Sequence, residues 1–220
     1  MASEVDIANL ALGHLGDNAV VASLNPPDGS AQADHCARFY PIARDSLLEM
    51  HNWGFATKRI KLALLSSAWP EWTYAYAQPN DALNLLAVLP PDATDDYNMV
   101  PGYQTNNVPV TLGTGYVPQP YSAEADDSGN NIIYTDQVSA VLRYTARVTD
   151  VTKFPPLFIM ALAWHLASML AGPIIKGDAG AAEAKRCAAM MQAWLSKAVE
   201  SDANQRRIAP AHTVGWISGR

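Results

Sequence analysis

Residues 154–175 read FPPLFIMALAWHLASMLAGPII, an uncharged run bracketed by Lys153 and Lys176. Length alone would admit a membrane span. The flanks argue otherwise: Pro155 and Pro156 suit only the first turn of a helix, where no N–H is needed, and Gly172-Pro173 is a stop signal. What lies between spans roughly 25 Å at about 1.5 Å per residue, and it carries His165 and Ser168. The stretch reads as a buried core helix, Pro156 to Ala171, with no membrane involved. The remaining helices are expected to pack around it.

Three of them follow from spacing. Ser3 is placed to cap a first helix, with Glu4 and Asp6 on the favourable end of its dipole. Val5, Ala8, Leu12 and Leu15 recur at helical intervals. Gly16-Asp17-Asn18 ends it, a short extended piece runs from Ala19 to Leu24, and Asn25-Pro26-Pro27-Asp28-Gly29 is turn chemistry. Ser30 caps a second helix with Cys36, Phe39, Tyr40, Ala43, Leu47 and Met50 on its apolar face. Pro41 inside it bends rather than breaks the pattern. A fourth helix runs from about Asp178 to Asp202 on the stripe Ala184, Cys187, Ala188, Met191, Trp194 or Leu195, and Ala198.

Between the helical halves the composition changes. Phe55 to Leu65 reads as a strand or extended arm, with Lys58, Arg59 and Lys61 as its charges. Short runs at Thr73–Ala77, Leu85–Leu89 and Val108–Leu112 read as strands joined by turns. Ile132–Tyr134 and Val138–Val148 are expected to form a hairpin around Thr135-Asp136-Gln137. The fold class expected is α+β, mainly α: a four-helix bundle core with a β-rich insertion and an extended carboxy-terminal arm. The segments are 1–65, first half of the bundle plus the extended arm; 66–130, the insertion; 131–204, the hairpin and second half of the bundle; and 205–220, the terminal arm.

Charge narrows the function. The chain is 49% hydrophobic and only 16% charged, with net charge −6, so it has either a large core or surface hidden against partners. From Leu62 to Leu142 there is no Lys or Arg, while Glu71, Asp81, Asp92, Asp95, Asp96, Glu124, Asp126, Asp127 and Asp136 are acidic. That segment carries −9, leaving +3 for the rest. A nucleic-acid binder needs a basic footprint, and this is the opposite. Glu4 and Asp6 lie where a secretory leader would want positive charge. Cys36 and Cys187, the only cysteines, suit a reducing compartment.

Catalytic patterns fail on spacing. His14, His35, His51, His165 and His212 form no zincin helix. His35 and Cys36 are neighbours that point apart on a helix. Gly113-Thr114-Gly115 lacks the lysine and helix of a phosphate loop, and no metal or cofactor set is grouped. A carboxylate pair for glycoside cleavage leaves no mark in a single sequence. No enzyme is expected. The tail from Gln205 to Arg220 has three arginines, no acid and no helical period, yet ends in Val214, Trp216 and Ile217. It reads as an arm that docks onto a partner, against the plainer alternative of a frayed terminus.

Three blocks carry a resemblance. Asp6-Ile7-Ala8-Asn9-Leu10-Ala11-Leu12-Gly13-His14-Leu15-Gly16 resembles the first helix of bacteriophage head-to-tail adaptors, the tail tubular protein A or tail accessory factor group of short-tailed phages. Ala37-Arg38-Phe39-Tyr40-Pro41-Ile42-Ala43-Arg44-Asp45-Ser46-Leu47-Leu48, with Trp53-Gly54-Phe55-Ala56-Thr57-Lys58-Arg59, looks like that group's most recognisable block. Pro155 to Ala167 is similar to a later helix of the group. The likeness covers the helical frame and stops at the insertion.

It implies a structural virion protein of the tail and neck, assembled in the host cytoplasm. The protein would form a dodecameric ring under the portal, meet the tail nozzle (tail tubular protein B) on its far side, and line the exit channel that DNA crosses without sequence-specific contact. Tyr40, Pro41, Trp53 and Phe55 become core anchors. Arg206, Arg207, Ile208, Val214, Trp216, Ile217 and Arg220 become the portal-docking arm. Asp95, Asp96, Asp126 and Asp127 face either the lumen or attached tail fibres. If lumenal, the insertions of twelve copies would present roughly a hundred negative charges to the passing DNA. The alternatives are a connector or head-completion protein of a long-tailed phage, and a tail-associated peptidoglycan hydrolase.

Overall fold

The computed structural model describes residues 2–18, 20–66, 69–91 and 119–205. Within them the chain is a mixed α/β protein with four α-helices and two antiparallel sheets. It divides into two compact units: residues up to Ala56 with those from Ala146 on, and Thr57–Thr145.

The helical unit begins with α1, Glu4–His14. Ser3 Oγ accepts from Asp6 N at 3.1 Å while Ser3 N donates to Asp6 Oδ2 at 2.8 Å, so two orphan amides of the first turn are satisfied reciprocally. The buried residues are Ile7, Ala8, Ala11 and Leu12. Val5 and Leu15 are half-buried, so the apolar face is turned by about one residue from the expected stripe. Asn9 then clamps the extended piece after the helix. It accepts from Val21 N at 2.8 Å and donates to Val21 O at 3.0 Å, giving an isolated segment the bonds a neighbouring strand would supply. Asp28 accepts from Ser30 Oγ, Ala22 N and Ser30 N, and these bonds hold its carboxyl at about 2.

Helix α2, Ala31–Glu49, is capped by Ser30 and buries Ala33, Cys36, Tyr40, Ala43, Arg44, Leu47 and Leu48. Pro41 lies inside it but is exposed, which corrects its expected role as a core anchor. A proline facing water leaves the carbonyl one turn back to be satisfied by solvent, so the helix tolerates it there. Met50 is likewise exposed and leaves the expected apolar face. Arg44 is buried, with Nε 2.8 Å from Asp45 Oδ1; Arg147 Nε reaches the other oxygen of that carboxylate at 2.8 Å.

Helix α3, Pro156–Ile175, starts at the proline pair as expected. Gly172-Pro173 does not stop it; the chain reverses only at Lys176 (φ 62) and Gly177 (φ 58). The seven consecutive residues Ala161–Ala167 are all buried. Nearly two full turns without an exposed side is the signature of a helix enclosed by others, and α3 contacts α1, α2 and α4, Gly177–Asn204. Among the described residues it is the one helix long and apolar enough to cross a membrane, and its neighbours account for its apolar surface. On α4 the residues turned inward are Gly180, Cys187, Met191 and Ala198, in register with the expected stripe. Gly180 sets how closely the two helices approach: a Cβ there would lie 2.9 Å from the Ala171 carbonyl oxygen.

The second unit contains β1 (Thr57–Lys61), β2 (Ala63–Leu64), β3 (Tyr74–Ala77), β4 (Ala82–Leu89), β5 (Tyr121–Ala125), β6 (Asn131–Thr135) and β7 (Val141–Ala146). One sheet has the order β1-β7-β4, the other β2-β3-β6-β5. The expected hairpin between Ile132–Tyr134 and Val138–Val148 is therefore not formed: β6 pairs with β3 and β5, β7 with β1. The linker shows why. Asp136 Oδ1 accepts from Thr73 N (2.9 Å) and Thr73 Oγ1 (2.8 Å), the Tyr76 hydroxyl donates to Gln137 O (2.9 Å), and Ser139 at φ 52 turns the chain into the other sheet. The β unit thus takes 57–65 and 131–145 in addition to the expected 66–130. Val108–Leu112 lies outside the described residues.

Candidate functional site

The most organised feature of the helical unit is an aromatic cluster where α2 ends and α3 begins. Trp53 is 1% exposed, and its indole N–H donates to the Leu47 carbonyl at 2.9 Å, so the ring is buried without an orphaned donor. Its ring meets Phe158 edge-on at 5.0 Å between centroids; Phe55 packs on Phe158 at 5.1 Å and on Phe154 at 5.9 Å. Tyr40 is buried as expected, and Phe55 is half-buried.

The same corner holds the far end of α4. Gly54 N donates to Asp202 Oδ1 at 3.0 Å and Oδ2 at 3.2 Å, and His51 Nε2 lies 3.2 Å from Asp202 Oδ2. A Cβ on Gly54 would meet Asp202 Oδ1 at 3.2 Å, so the glycine makes room for the carboxylate. A cavity of about 110 Å³ opens beside it, lined among others by Trp53, Pro155, Phe158, Ala198, Asp202 and Gln205. Gln205, the first residue of the terminal segment, is the last described residue. The site is thus an apolar notch at the root of the terminal segment, suited to packing and carrying no constellation for bond chemistry. Asp202 left no signal in the sequence: its amide partner lies 148 residues away.

The expected docking residues Arg206, Arg207, Ile208, Val214, Trp216, Ile217 and Arg220 lie outside the described residues, as do Asp95 and Asp96. Asp126 and Asp127 sit in the turn between β5 and β6. Asp126 accepts from the Asn130 side chain and from the Ser128 and Asn130 amides, bonds that hold its carboxyl below the usual range. It organises the turn. Asp127 is exposed. Asp81, another of the insertion's acids, pairs with Lys58 at 2.6 Å and accepts from the Tyr144 hydroxyl at 2.9 Å.

Among the described residues one Ser–His pair occurs. Ser46 Oγ is 2.9 Å from His165 Nε2, and it also donates to Ala43 O at 3.1 Å. The serine hydroxyl is shared between that carbonyl and the imidazole, and the direction of the Ser46–His165 bond depends on the ring's tautomer. His165 Nδ1 is buried with no partner among the described residues, so no carboxylate orients the ring. Burial lowers the pKa of His165. His14 stacks on Trp164 (3.7 Å, 5°), and Arg186 covers the indole at 5.3 Å while pairing with Glu183. Burial first, then Arg186, lowers the His14 pKa. Both thiols are buried and free, and desolvation pushes each up to about 11, far from a reactive thiolate. Among the described residues no three His, Cys, Asp or Glu side chains group to hold a metal.

No known family model matches the chain, and no curated protein matches it either.

Proposed function

We propose that this protein is a bacteriophage head-to-tail adaptor: a structural virion protein that forms a ring, twelvefold by resemblance, between the portal and the tail nozzle. The observation that carries the reading is the meeting of all three adaptor-like blocks in one unit. His14 of the first block stacks on Trp164 of the third, and Trp53 of the second packs edge-on against Phe158 of the third. Residues that resemble a family at separated places in a chain, and prove to be mutual packing partners, support a shared fold better than any one block does. In this reading the four helices are the bundle that seats on the portal, the β unit is the insertion, and residues 205–220 are the arm that reaches the portal. The chemistry of the site supports an assembling role over a catalytic one, because its best-organised feature is a packing corner.

The test is electron microscopy of the full chain mixed with the portal protein of its own phage. The expected result is a closed ring coaxial with the portal; the absence of a ring refutes the proposal. Deleting Gln205–Arg220 should abolish docking, and undiminished docking removes the arm from the account.

A further inference from the structure

The β unit is acidic, with nine carboxylates against four cations between residues 57 and 145: Lys58, Arg59, Lys61 and Arg143. Three of those four cations share one face of the β1–β7 pair. The register sets Thr57 opposite Thr145, Arg59 opposite Arg143 and Lys61 opposite Val141, and directly opposed residues of an antiparallel pair project to the same side. Alternation sends the remaining cation the other way. Lys58 lies opposite Tyr144, and the two meet Asp81 at 2.6 and 2.9 Å. Leu62 N donates to Ala140 O at 2.9 Å, one register step beyond Lys61 and Val141. Bonded and non-bonded pairs alternate from there, which makes Arg59–Arg143 a non-bonded pair. In such pairs the Cα atoms lie about 4.5 Å apart and the side chains approach most closely.

Two arginines so placed repel each other. Arg59 is exposed, but Arg143 is only 7% exposed, and Thr145, two residues along the same face, is 0% exposed. Thr57, Arg59 and Arg143 each make further contacts, yet a guanidinium carries five N–H donors. Arg143 Nε is buried with no hydrogen-bond partner, and so is Thr145 Oγ1. Leaving buried donors unmatched costs stability, and here two of them lie on one face beside a second guanidinium and an ammonium. The arrangement calls for an acceptor that carries negative charge and several oxygens.

We propose that this face holds a phosphate-sized oxyanion, with Arg59 and Arg143 pairing its charge, Thr145 Oγ1 donating from the buried floor and Lys61 at the exposed mouth. A tetrahedral oxyanion suits donors arriving from two strands better than a carboxylate, which has two oxygens to offer. The unit's net negative charge and the burial of Arg143 disfavour duplex DNA as the occupant. The site does not depend on the ring reading.

Isothermal titration calorimetry tests it, with the full chain dialysed into chloride buffer at fixed ionic strength and titrated with inorganic phosphate. Saturable binding with Kd of about 1 mM or tighter is expected. Arg59→Gln, at an exposed position, should weaken binding about tenfold, and Thr145→Val, which replaces the hydroxyl by a methyl group, about threefold. Lys58→Gln, on the opposite face, should leave Kd unchanged. Circular dichroism establishes that each variant is folded. No saturable binding to the wild type up to about 20 mM phosphate, or equal weakening by Lys58→Gln and Arg59→Gln, overturns the site. A short DNA duplex that binds through Arg59 more tightly than phosphate at the same salt puts nucleic acid in its place and overturns the small-anion assignment.

Discussion

The two units solve the same problem in opposite ways. The helical unit covers its most apolar element from every side, so Ala161–Ala167 on α3 are buried without help from another molecule. The β unit covers one strand as fully, with Leu142–Ala146 of β7 all buried, yet leaves Ile60, Leu64, Trp69 and Val138 in solvent. The helical unit leaves Val20, Ile42 and Met50 in solvent as well, so bare apolar side chains of the kind a partner could cover occur in both units. The difference lies in the cores: one unit closes round a single apolar helix, the other spreads its buried residues over two sheets.

The sharpest way to break that contrast is through the aromatic corner. Trp53→Ala should cost about 3–5 kcal/mol, read as a drop in thermal midpoint by far-ultraviolet circular dichroism. A loss under about 1 kcal/mol would mean that the corner does not hold the helices together. Next is Gly180→Ala. Helix propensity alone would reward it by up to about 1 kcal/mol, but the close Ala171 carbonyl turns the sign, and a net loss of about 1–3 kcal/mol is expected in urea unfolding. A stabilised variant would contradict the close approach of α3 and α4.

In the β unit, Tyr76→Phe removes the hydroxyl bond to Gln137 O and should cost about 1 kcal/mol. Hydrogen exchange should quicken in peptides of the β unit while those of α3 stay unchanged; equal quickening in both would erase the distinction between the units. The smallest effect is one of pH. Burial lowers the pKa of His165, so the unfolded chain binds a proton more readily than the native one. Stability contributed by the neutral ring is complete above about 6.5 and declines as pH falls from there towards the lower native value. His165→Gln should flatten that part of the profile, and an unchanged slope would show that His165 is not its source.

Local features of the fold were legible in sequence and non-local ones were not. Ser3 and Ser30 cap where their side chains predict, and the α4 stripe through Cys187, Met191 and Ala198 faces inward, because spacing within one helix decides these. Pairing in the sheets depends on partners far along the chain, and the hairpin expected at Thr135-Asp136-Gln137 fails because Thr73 and Tyr76 capture the linker. Gly172-Pro173 predicts a helix end that packing against α4 overrides by one turn. At the candidate site, Trp53 was evident from the block around it, but its corner is completed by Asp202, a residue with no pattern around it.

The central claim, that this chain is a ring subunit completed by its own copies, is tested most directly by cryo-electron microscopy of intact virions at the vertex where DNA leaves. The account predicts this polypeptide as a symmetric collar between portal and nozzle. Density for the chain at any other place on the particle, or as isolated copies without rotational symmetry, would contradict it.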